Sequence, residues 1–412
     1  MYERIWENEA KGQEINPTGG VHKAGGVWYD YRCLQHTAGG TMLLLPLIQQ
    51  YRSLSIIGMC KNAGKTTVLN RIIQEMQTTG KTLGLTSIGR DGESVDVVTR
   101  TYKPGIYVHE GTLIATAMEM LKHCDISREI VETTGFPTPL GEVVVVRARS
   151  DGNVQLAGPS ITAQLGKLSG MFFSLGADVA IVDGALSRKT LCAPAVSEAT
   201  VLCTGASYSR DMDAVIEDTA FATMLLTLPE QAYFSEEERT GFAGKALLRM
   251  AGGESLPLPP EVTLGDALRS PSYDGIKAVY IAGAVTDAQL KPVLASGKRL
   301  NGLTLCAEDG SKLLISRDTF DKLAIRGINL AVARATRVAA VTVNPYSAYG
   351  FDLDKHELLE RMQAKVDVPV INVLEDISLE DMAWHEADAA QIAAREAEDA
   401  NVDTGHCGVG EE

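Results

Sequence analysis

The segment Gly58-Met59-Cys60-Lys61-Asn62-Ala63-Gly64-Lys65-Thr66-Thr67 constrains this chain more than any other. An apolar run, Leu54-Ser55-Ile56-Ile57, leads into it. A stretch with helical spacing follows, with Val68, Leu69, Ile72, Ile73 and Met76 on one face and Asn70, Arg71, Gln74 and Glu75 on the other. A strand, a glycine-bearing loop and an amphipathic helix in that order bring consecutive backbone N–H groups to a helix N-terminus, where they converge on an anion. Gly64 permits close backbone approach, Lys65 carries a point charge to β- and γ-phosphates, and the Thr66 hydroxyl is a magnesium ligand. The expected phosphate cradle is therefore Gly58, Asn62, Ala63, Gly64, Lys65, Thr66 and Thr67, with Lys61 as a second, catalytic cation over the phosphates, the alternative being that it points to solvent. A chance Gly-Lys-Thr at a helix start would not require this flanking context.

A second strand, Thr82–Ile88, follows the helix and completes a βαβ unit, so the fold class is α/β: a mostly parallel P-loop sheet flanked by helices. Val179-Ala180-Ile181-Val182-Asp183 has the continuous apolar composition of a buried parallel strand. A carboxylate at its end reaches Mg²⁺ through water, which makes Asp183 the expected partner of Thr66. Taken alone, an apolar run ending in Asp-Gly is an ordinary turn signal; its place downstream of the loop gives it meaning. In Gly89-Arg90-Asp91-Gly92-Glu93, Asp91 is expected as a second Mg²⁺-linked and catalytic acid with Glu93 behind it, the alternative being an acidic surface turn. Arg188 and Lys189 follow Asp183 closely and either steady a γ-phosphate or lie in a solvated loop. His109 beside Glu110 and His123 beside Cys124 read as structural pairs. Asn344-Pro345, after the apolar run Val341–Val343, reads as a strand-ending turn, with a base-side or partner-side loop as the alternative.

Periodicity predicts a helix over 112–123 and a hairpin across Ser150-Asp151-Gly152, then helices over 160–175, 211–225, 236–250, 286–296, 317–326 and 355–365. The expected organisation is an extension over 1–41 without a packed core (Met42 is an alternative start), a P-loop domain over 42–227 and connecting material over 228–275. A second, smaller α/β portion over 276–376 and an acidic tail over 377–412 complete it.

The formal net charge is −15, and residues 375–412 hold twelve acids and one base, so eleven of those charges sit in the tail. The rest is near neutral and offers no basic stripe for a nucleic-acid backbone. The apolar run Thr41–Ile48 falls far short of the roughly 20 residues a membrane helix needs. Seven scattered cysteines, none at metal-knuckle spacing, and an N-terminus without an apolar signal region point to the cytoplasm. A guanine-reading Asn-Lys-x-Asp is not found, so ATP is favoured over GTP.

Five residues separate Gly58 from Gly64, a spacing that resembles the P-loop of dethiobiotin synthetase and its SIMIBI-type relatives over about residues 53–230. Asn62 stands where those synthetases carry an acid beside their substrate, and no Lys-Pro follows the second strand, which argues against synthetase chemistry. Four blocks together are similar to one family: Ser55–Thr67, Thr86–Glu93, Gly111–Thr116 and Val341–Pro345. They resemble the P-loop subunit of lysine 5,6-aminomutase reactivase across about residues 42–376. That resemblance implies ATP and Mg²⁺ as cofactors, a second MutS-like subunit and the aminomutase as partners, and rescue of a mutase whose adenosylcobalamin has been damaged. The competing readings are an ATP-dependent synthetase of dethiobiotin-synthetase type and a non-hydrolysing nucleotide-binding scaffold.

Overall fold

Ile56 and Ile57 are adjacent in sequence and both fully buried, which is possible only for a strand covered on both faces. That strand, β1 (Ser53–Gly58), begins a series of β2 (Leu83–Ser87), β3 (Leu113–Ala117), β4 (Arg128–Thr138), β5 (Gly141–Ala148), β6 (Val179–Asp183) and β7 (Ala199–Gly205). Helices α1 (Lys65–Gln77), α2 (Thr162–Ser174) and α3 (Met212–Leu226) lie between or after them. The computed structural model describes residues 44–89, 105–184, 192–296, 300–372 and 374, and the backbone of Val21–Ala24 and Val27–Asp30. Those two short strands pair antiparallel, Val21 opposite Asp30, in a unit separate from Leu44–Glu412, where no strand was expected.

After α3 the chain builds a second sheet from β8 (Ala246–Met250), β9 (Ser255–Pro257), β10 (Ile276–Ile281), β11 (Thr304–Ala307) and β12 (Asn329–Val332). Its order is β9-β8-β10-β11-β12, with β10, β11 and β12 parallel and the β8 and β9 pairings antiparallel. Helices α4 (Glu236–Gly241), α5 (Leu264–Arg269), α6 (Asp287–Leu294) and α7 (Arg317–Ile325) accompany it. The chain then returns. Strand β13 (Val338–Asn344), helix α8 (Lys355–Gln363) and strand β14 (Val370–Asn372) complete the first sheet, whose order is β14-β13-β7-β1-β6-β2-β3-β5-β4. The seven strands from β14 to β3 pair in parallel, and β5 and β4 add antiparallel at one edge. The result is an α/β fold with a large, mostly parallel sheet and a smaller mixed one.

The second α/β portion is thus an insertion between α3 and β13, not a C-terminal unit over 276–376. Its first two strands come from 246–257, within what the sequence suggested was connecting material. β13 and β14 are apolar runs suited to any doubly covered strand, and composition does not say which sheet receives them. Helix α3 joins the two parts: Leu226 packs in the core under the large sheet and Leu225 in the core of the small one. Phe221 of α3 meets Phe320 of α7 edge to face at 5.9 Å, with Arg317 over the Phe221 ring.

Local expectations fail in three places. Residues 113–117 form β3, not a helix; Leu113 to Ala117 are wholly buried beside β2, and lateral pairing overrides helical spacing, leaving only a 3₁₀ turn over Met118–His123. The hairpin turns at Thr138–Gly141, where β4 meets β5. Gly152–Val154 pairs instead with Ile106–Val108. Helix α4 stops at Gly241, because Ala246, Leu247 and Leu248 are drawn into β8 as buried strand residues. Among the described residues no helix is long and apolar enough to cross a membrane.

Candidate functional site

Strand β1 ends at Gly58, opposite Cys203 of β7, and the Met59 N–H donates to the Cys203 carbonyl at 2.8 Å. Beyond this bond the chain leaves the sheet and curls. Asn62 and Gly64 both take left-handed backbone conformations, φ 59° and 90°, and Asn62 is the sole described non-glycine residue to do so. The curl brings the two ends of the loop together. A Cβ added at Gly58 would lie 3.1 Å from Lys65 Cγ and 3.2 Å from both Ala63 Cβ and the Cys60 carbonyl. A side chain at position 58 would therefore press on Lys65, Ala63 and the Cys60 carbonyl.

Helix α1 starts at Lys65 with no side-chain cap. The first N–H to bond back is that of Val68, to the Gly64 carbonyl at 2.9 Å. The amides of Lys65, Thr66 and Thr67 are left without a backbone partner, at the positive end of the helix dipole. Ala63 is buried and anchors the loop, whereas Lys65, Thr66 and Thr67 are half-buried. Asn62 Nδ2 is a buried donor with no hydrogen-bond partner. Unmet donors around a concavity are the chemistry of an anion cradle. Lys61 stands exposed on the turn.

Strand β6 lies directly beside β1, with Asp183 opposite Ile56 and the Gly184 N–H donating to the Ile56 carbonyl at 3.0 Å. Asp183 is 4% exposed and sits at the same sheet edge as the loop, one strand away. Burial pushes the Cys203 thiol up to about 12, with a hydrogen bond to Thr342 and the charge of Lys65 opposing and Asp183 adding to the rise. The Cys60 thiol, within the loop, is pushed up to about 11 by burial, with Lys65 opposing.

Gly58, Asn62, Ala63, Gly64, Lys65, Thr66, Thr67 and Asp183 are thus brought to one edge. Asp91, Glu93, Arg188 and Lys189 lie outside the described residues. His109 pairs with Asp151 through Nδ1 at 2.9 Å before β3 begins, at the end of the sheet away from the loop.

Sequence reading undervalued Asn344. A Cβ at Gly64 would lie 3.4 Å from Asn344 Cβ and 3.5 Å from its Nδ2. The Asn344 Oδ1 accepts from the Tyr346 N–H at 3.0 Å, and its backbone carbonyl accepts from the Ala206 N–H at 2.8 Å. The side-chain NH₂ remains beside the loop. Gly205, at φ 152°, fits because any Cβ there would come within 2.0 Å of the Asn344 oxygen. The clue in the sequence was Asn-Pro closing an apolar run, which marks a strand end but not which strand lies next to it.

No protein-family model and no curated protein matches the chain. The donor set itself tests the fit of a metal. Among the described residues no group of three His, Cys, Asp or Glu is placed to hold an ion. Mg²⁺ needs only one or two protein oxygens beside phosphates and waters, and the oxygens that would supply them here are those of Thr66 and Asp183.

Proposed function

We propose that this chain binds Mg²⁺-ATP in the loop Gly58–Thr67 and hydrolyses it as the nucleotide-driven subunit of a reactivating factor for an adenosylcobalamin-dependent lysine 5,6-aminomutase, working with a second, MutS-like subunit. The observation that carries the nucleotide reading is the uncapped start of α1. Three unmet amides and the buried, unpaired Asn62 side-chain donor gather in a loop that the left-handed backbone of Asn62 and Gly64 curls. In this reading Lys65 and those amides hold the β- and γ-phosphates. The Thr66 hydroxyl ligates Mg²⁺ directly and Asp183 through water, while Asn344 bounds the cradle on the side of β13. The bound metal neutralises charge that develops on the phosphoryl oxygens.

The reactivase reading rests on the four resembling blocks, and its physical requirement is modest. Such a factor converts nucleotide binding into a bias between two states of a partner, which demands differential affinity. Calorimetry with Mg²⁺-ATP, followed by turnover assays on wild type and Lys65→Ala, tests the core of it. Loss of this cation should lower turnover by about 100-fold or more while the melting temperature holds. Wild-type turnover in the variant removes the assignment. Turnover that rises only when aminomutase and the second subunit are added supports the reactivase role, and a requirement for a small carboxylate or amine moves the chain to the synthetases.

A further inference from the structure

The inserted domain has a cleft of its own, about 440 Å³, beside the outer edge of β12 and the end of α7. Strand β12 is the last in its sheet. Its Asn329 N–H bonds inward to the Leu303 carbonyl at 2.8 Å, so the ladder's alternation turns the peptide groups of Leu330 and Val332 outward. Val332 is met there: its N–H donates to the Pro229 carbonyl at 3.1 Å, and its carbonyl accepts from the Gln231 N–H at 2.9 Å. Among the described residues outside its own sheet, Glu230 alone bridges to β12, at Val332. At Leu330 the two chains have parted and the cleft lies between them.

The lining is unusual for an acidic protein. Among the described residues, not one Asp, Glu, Lys, Arg or His borders the cleft. Tyr233 and Phe320 supply aromatic walls, Leu228, Leu323 and Ile328 aliphatic ones, and the polar atoms are neutral amides and hydroxyls from Gln231, Asn329 and Thr304. Aromatic and aliphatic walls interspersed with neutral donors and acceptors, in a half-open cleft, suit a small molecule. An exposed strand edge presents its donor and acceptor at the spacing of another amide.

We infer that this cleft binds an uncharged, largely apolar small molecule carrying an amide-like donor–acceptor pair, which pairs with the Leu330 peptide group while its apolar part packs against Tyr233 and Phe320. The site is separate from the loop at Gly58–Thr67 and does not depend on nucleotide binding. A carboxylate of the same shape is disfavoured, because no described residue lining the cleft offers it a cation.

The test uses the full chain and ligand-observed NMR titration with 1-naphthamide, its charged counterpart 1-naphthoate, and an acetylated, amidated Thr–Val hexapeptide. Naphthamide should bind saturably, and naphthoate at least tenfold more weakly. Ala324→Trp, at an exposed helix position, should fill the cleft and abolish binding without lowering the melting temperature; Asn329→Ala should weaken it severalfold. Lys65→Ala should bind naphthamide as wild type does, so failure of the nucleotide assignment leaves this site standing. Equal binding of amide and carboxylate, or unchanged binding in Ala324→Trp, overturns the inference. Binding of the hexapeptide alone overturns it too, in favour of strand addition.

Discussion

The two sheets of this protein offer the same place and fill it differently. In both, parallel strands end together, and the edge so formed is where α/β proteins seat ligands. At the edge of the large sheet the chain withholds side chains. Gly58, Ala63 and Gly64 leave a cradle, and the first amides of α1 stay unmet. At the edge of the small sheet Glu308, just past β11, accepts from Arg239 at 2.6 Å and from the Tyr280 hydroxyl at 2.8 Å, with Arg334 3.3 Å away. Arg334 also reaches Glu236 of α4. Despite its burial, the Glu308 carboxyl is held below the usual range by Arg239 and Tyr280, with Arg334 adding to the pull. On the proposed reading, one edge receives charge from outside. The other supplies both signs itself.

The largest expected effect is at the closed edge. Glu308→Ala leaves Arg239, only 8% exposed at its side chain, without its carboxylate and strips the acceptor from Tyr280. Breaking a buried pair from one side costs several kcal/mol; with Glu308 itself partly exposed, we expect about 3 kcal/mol, read by urea denaturation. ATP affinity should stay within about twofold, since the two edges share no residue. Gly58→Val comes next and does the reverse. Its side chain collides with Lys65 and Ala63 and pries the loop open, lowering ATP affinity about 100-fold, or roughly 2.7 kcal/mol, with little change in melting temperature. If Glu308→Ala abolished ATP binding, or Gly58→Val spared it, the contrast between the edges would fail.

Asn344→Ala sharpens the comparison by asking how far the open edge extends. One hydrogen-bonding side chain contributes on the order of 1 kcal/mol, so a loss of about fivefold in ATP affinity is expected, and none would confine the site to β1 and β6. The same residue shows where sequence reading stops. The curled loop from Gly58 to Thr67 was legible because its signals are local: strand, loop and helix are contiguous, and the glycines and Lys65 are specified within ten positions. Asp183 was legible because a buried strand with a terminal carboxylate has its own composition. Asn344 lies 280 residues beyond Gly64, and its proximity comes from β13 rejoining the sheet after the insertion, which apolar runs do not encode. For the same reason 113–117 looked helical: its pairing with β2 and β5 is a property of neighbours.

The smallest expected effect concerns thiols, one at each edge. Burial raises both, Cys60 to about 11 and Cys306 to about 12, so both are neutral thiols at pH 8 and alkylation proceeds through a minor thiolate. An unshifted thiol near 9 would be about 10% ionised at pH 8 and Cys60 about 0.1%, so iodoacetamide should modify Cys60 roughly 100-fold more slowly than a free cysteine. The sign follows from the direction of the shifts: raising pH towards 11 increases the thiolate, so the Cys60 rate should climb about tenfold per unit until it levels there. Cys306 is 1% exposed under a closed edge and should lag Cys60 at every pH in peptide mass spectra, because the reagent reaches it only when the small sheet opens. Mg²⁺-ATP should slow Cys60 and leave Cys306 unchanged. Equal rates for the two thiols would mean that the large sheet's edge is as closed as the small one's, and the cradle could not then admit a nucleotide.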